Sequence, residues 1–79
     1  MAVKVTYRSG CKTCYHGPTD TKGSRIVASH LNTKRRIIRS WDDALGVEEN
    51  HGKVAAELLG TDKLLACSLT AGGFVFLAK

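Results

Sequence analysis

One stretch of this chain, about residues 47–59, repeats apolar residues at helical spacing, while the other patterned stretches alternate with a period of two. A single helix among strands leaves one simple layered arrangement, a sheet with the helix laid on one face. Val47, His51, Val54 and Leu58, flanked by Ala55 and Leu59, form the helical stripe. Glu48 and Glu49 stand in the first turn, where acids meet the positive end of the helix dipole, and Gly60 stands where a helix stops. Gly52 costs the helix about 1 kcal/mol relative to Ala and predicts a close approach to the sheet.

Val3, Val5 and Tyr7 alternate with Lys4, Thr6 and Arg8, which predicts a half-buried strand over residues 2–8. Residues 9–23 hold Gly10, Gly17, Pro18 and Gly23 among small polar residues and read as a long loop. Strands follow at 24–31 and 34–41, with Asn32-Thr33 as a two-residue turn in which Asn tolerates positive φ. After the helix come strands at 64–70 and 74–78, joined at Ala71-Gly72-Gly73. The expected order is β-β-β-α-β-β: an α+β protein, an antiparallel sheet of about five strands with one helix on one face, in a single domain over 1–79.

Ile37 and Ile38 are adjacent, so they point to opposite faces. One lies with Arg35, Arg39 and Trp41, the other with Lys34, Arg36 and Ser40. Phe74 and Phe76 likewise oppose Val75 and Leu77. One short helix covers one face only, so the other face carries more apolar surface than water tolerates and is expected to meet a target or a second copy.

The charge is unevenly placed. Residues 1–41 hold nine Lys/Arg and one acid, whereas residues 42–79 hold three Lys/Arg and six acids. Between Lys22 and Arg39 stand six cations and no acid. Lys22, Arg25, Lys34, Arg35, Arg36 and Arg39, with Trp41 beside them, are the candidate binding residues for nucleic-acid phosphates or an acidic protein face. Trp41, Tyr7 and Tyr15 are a thin set for base stacking, so backbone contact is expected over single-strand reading.

Other chemistry is sparse. Cys11 and Cys14, with His16 nearby, have the spacing that bites zinc, but a closed site needs four ligands, and Cys67, His30 and His51 stand in no paired spacing. The two cysteines are weak candidates, and no metal or cofactor is expected. A redox role needs the pair at a helix start, and no helix follows. The run from Gly17 to Ser24 lacks the register of a phosphate loop. His51, on the apolar stripe, reads as a packed core residue. No catalytic triad or carboxylate pair stands out, so binding is expected rather than catalysis. An odd count of three cysteines fits a reducing compartment, no apolar run approaches the ~20 residues of a membrane span, and a cytoplasmic location is expected.

Gly17-Pro18-Thr19-Asp20-Thr21-Lys22-Gly23-Ser24-Arg25-Ile26, then Trp41-Asp42, then Glu48-Glu49-Asn50-His51 with Ala55-Ala56, resembles a family of small proteins encoded by phages and prophages. The match covers roughly residues 15–60 and leaves out the Cys11/Cys14 pair. The expected architecture is also similar to some anti-CRISPR proteins. The resemblance implies a phage protein that binds a host protein or ribonucleoprotein effector, a defence complex or nuclease, and modulates it. Two alternatives stand beside it: a small nucleic-acid-binding regulator, and a homodimeric accessory phage protein.

Overall fold

Pairing partners decide which period-two runs become strands. A computed structural model describes residues 2–21, 23–68 and 73–79. It contains β1 (Gly10–His16), β2 (Arg25–His30), β3 (Arg36–Ser40), α1 (Val47–Leu59), β4 (Leu64–Ser68) and β5 (Gly73–Ala78). The strands form one sheet in the order β3-β2-β1-β5-β4, antiparallel throughout. The class and element order are those expected from the sequence. Residues 69–72, the end of the expected fourth strand and most of its turn, lie outside the described residues.

The first strand is displaced from its expected place. Residues 2–9 have no regular structure and are exposed, while β1 occupies the front of the expected 9–23 loop. The reason lies in β1's central position. Cys11 and Thr13 are fully buried beneath α1, where small side chains let the helix come close. Lys12, Cys14 and His16 alternate with them toward the other face. Gly73 has a similar origin: a Cβ there would stand far inside contact distance of the Thr13 carbonyl oxygen.

The β2–β3 connection also differs. His30 N–H donates to Arg35 C=O at 2.9 Å, leaving four residues, 31–34, in the turn. Asn32 does not use positive φ, which among the described residues only Gly60 adopts. Its Oδ1 instead accepts the Gly10 N–H at 3.0 Å, tying the turn to β1.

Helix α1 has the expected bounds. Gly60 adopts φ 72°, and its N–H donates to Ala56 C=O at 2.8 Å. Asn50, His51, Val54, Ala55 and Leu58 are buried. Burying Val54 or Leu58 contributes roughly 1.5–3 kcal/mol each. They pack on Cys11, Ile26, Ala28 and Phe76, with Ile37, Trp41, Leu59, Leu64 and Phe74 partly buried around them. Val47 is exposed, contrary to its place in the expected stripe, because the buried stripe begins one turn later at Asn50 and His51. Nor does Gly52 mark a tight approach: a Cβ there would sit at ordinary contact distance, 3.9 Å, from the Phe76 ring.

Asn50 fastens the entry to the helix. Its Oδ1 accepts the Asp42 N–H at 2.9 Å, and its Nδ2 lies within donating distance of the carbonyls of Asp42, Leu45 and Gly46. A buried amide satisfied this fully fixes the loop from β3 to α1. Tyr15, Trp41, His51, Phe74 and Phe76 then form a chain of neighbouring rings across the sheet beneath the helix.

A basic sheet face as candidate binding surface

The ladder registers fix what the helix-free face presents. Arg36, Ser29, Lys12, Val75 and Cys67 form one row across the sheet. Ile38, Val27, Cys14 and Gly73 form the next, and Ser40, Arg25 and His16 a third. At the opposite margin Leu77 and Leu65 pair. Ile38, Leu65 and Leu77 are exposed and Val27 and Val75 half-buried, so this face keeps the apolar content expected of it.

The five strands contain no Asp or Glu. The acids stand on α1 and in loops, so the uneven charge along the sequence becomes a difference between the two sides of the molecule. Among the described residues, Lys12, Arg25 and Arg36 are the strand cations of the helix-free face. Arg25 also has one buried nitrogen, Nη1, without a hydrogen-bond partner among the described residues.

The candidate residues divide. Arg25 and Arg36 lie on the helix-free face, and Lys34 and Arg35 are exposed at the β2–β3 turn. Arg39 faces the helix, where its Nε donates to both Glu57 oxygens at 2.9 and 3.0 Å. This bond raises the Arg39 pKa and holds the Glu57 carboxyl below its usual range. Trp41 is half-buried, edge-on to Tyr15 with centroids 5.0 Å apart, and packs into the helix-side core instead of joining the cations. Lys22 lies outside the described residues. Lys12 completes the basic face but was hidden within a stretch that reads as loop.

Cys11 and Cys14, three apart in a strand, point to opposite faces and cannot grip one ion together. Burial pushes the Cys11 thiol up to about 11. Among the described residues no three His, Cys, Asp or Glu side chains gather at metal-binding distance. His51 is a core residue, hydrogen-bonded through Nδ1 to Thr13 Oγ1 at 2.7 Å, and burial lowers its pKa. The residues that carry the phage-family resemblance therefore include several that hold the fold, Trp41, Asn50, His51 and Ala55 among them. Among the described residues no helix is long and apolar enough to cross a membrane. The chain matches no protein-family model, no curated protein and no solved structure.

Proposed function

We propose that this chain is a binding protein without catalytic activity, and that its helix-free sheet face docks on a nucleoprotein complex. The observation that supports this reading is the segregation of charge: strands without acids, with Lys12, Arg25 and Arg36 on the same face as Val27 and Ile38. Cations at this density meet phosphates, and the apolar side chains between them suit a protein surface better than a bare duplex. Joined to the phage-family resemblance, this makes the target a host defence complex or nuclease, which the protein modulates in the manner of an anti-CRISPR.

The test is a pull-down from host lysate with the wild-type chain and with a Lys12→Glu/Arg25→Glu/Arg36→Glu variant. Wild type is expected to retain a nucleoprotein complex that the variant loses, with thermal midpoints alike. Equal capture by both would remove the face from consideration. Salt-sensitive binding to free duplex without capture of a complex would favour the plain nucleic-acid regulator.

A further inference from the structure

The period-two run at residues 2–8 has the composition of a strand but pairs with no strand among the described residues. Val3, Val5 and Tyr7 are 82%, 68% and 89% exposed. The last sheet bond before them is Ala78 N–H to Ser9 C=O at 2.8 Å, so this arm runs past the end of the sheet. It carries Lys4 and Arg8 and no acid.

The sheet has two edges, and they differ. On β3 the pairings of Trp41 N–H with Ser24 C=O and of His30 N–H with Arg35 C=O turn the Ile38 carbonyl outward. The Arg39 guanidinium covers that carbonyl, Nη1 donating at 2.8 Å, and Arg36 adds a second cation, so β3 is a guarded edge. On β4, Lys79 N–H donates to Lys63 C=O at 2.9 Å, which places Leu65 and Cys67 in the inward-bonding register. The backbone N–H and C=O of Leu64, Ala66 and Ser68 then face outward, on a strand with no charge and no Pro. Beside this edge a groove of about 780 Å³ opens between α1 and β4, with Phe74 and Phe76 in its lining and Glu48, Glu49 and Asp62 against a single cation, Lys53.

We infer that the arm of one copy adds as a strand to the β4 edge of a second copy, and that the exchange is reciprocal about a twofold axis. The β4 edge supplies unpaired backbone beside an apolar groove. With Val3, Val5 and Tyr7 set against Leu64, Ala66 and Ser68, their side chains enter that groove beside Phe74 and Phe76, while Lys4 and Arg8 alternate to the other face, next to uncharged Leu65 and Cys67. Main-chain bonds give such an addition its affinity, and the alternate side chains give it register. The arm's own basic charge directs it away from β3 and toward β4. This interface is separate from the basic face and does not depend on its function.

The experiment is sedimentation at micromolar concentration. The full chain is expected at twice its 8.5 kDa mass, and a chain lacking residues 2–8 at the monomer mass with unchanged circular dichroism, since the arm is exposed along its length and lies outside the sheet. Val5→Pro and Ala66→Pro, which each remove an N–H from the proposed ladder, are also expected to give monomers. Pro is tolerated where an edge N–H faces outward, and the arm variant serves if Ala66→Pro does not fold. A monomeric full chain overturns the inference. So does a dimer that survives loss of residues 2–8, because that dimer is held elsewhere.

Discussion

Lowering the pH should weaken this fold through one side chain. His51 is 1% exposed, hydrogen-bonded to Thr13 and ringed by Phe74 and Trp41. Burial lowers its pKa, so the native ring resists the proton that the unfolded chain accepts near pH ~6.5. The sign follows from linkage: stability is full above that pH and is lost as the pH falls toward the native pKa. If the native ring stays neutral throughout, the loss between about pH 7.5 and about pH 5.5 reaches its ceiling of about 1.4 kcal/mol. Urea unfolding across this range measures it directly. Glu57, whose pKa is also lowered, contributes only at more acid pH because a free carboxyl titrates near ~4.3. The decisive quantity is the difference between wild type and His51→Leu, in which the contributions of the rest of the chain cancel. The variant should be less stable at neutral pH and lose less stability on acidification. Equal pH slopes in the two proteins would refute the reasoning.

Asn50→Ala strips the β3–α1 loop of an acceptor and of the donor serving three carbonyls, and should lower stability by about 2–3 kcal/mol, measured by calorimetry. Gly73→Ala drives a methyl into the Thr13 carbonyl and should cost about 2 kcal/mol or more, read as a fall in the thermal midpoint. Thiol titration with a chromogenic disulfide should modify exposed Cys67 first and leave buried Cys11 untouched until the protein unfolds.

What the sequence made legible was whatever local chemistry determines. The bounds of α1 follow from its periodicity, its first-turn acids and the glycine at its end, all within one short window. The opposition of Ile37 and Ile38 follows from strand geometry alone, and the structure keeps it. β1 was illegible because Val3, Val5 and Tyr7 alternate more strongly than Cys11, Thr13 and Tyr15, yet it is the small Cys11 and Thr13 that lie buried beneath α1. Arg39 could not be separated from its neighbours either, since its partner Glu57 lies eighteen residues away on another element. The chelating look of Cys11 and Cys14 belonged to a loop; in a strand the same spacing pulls them apart.

The central place of β1 also has a consequence in time. Its first neighbour, β2, follows it closely in the chain, but its second, β5, is made only after β3, α1 and β4. A chain emerging from the ribosome can therefore form the three-strand meander and lay α1 across it while one side of β1 is still unpaired. Loops that span most of a chain close late, and unpaired strand sides attract other chains in the meantime. The unfinished protein is thus open to wrong pairing along Gly10–Cys14, a segment whose backbone is paired on both sides in the finished sheet.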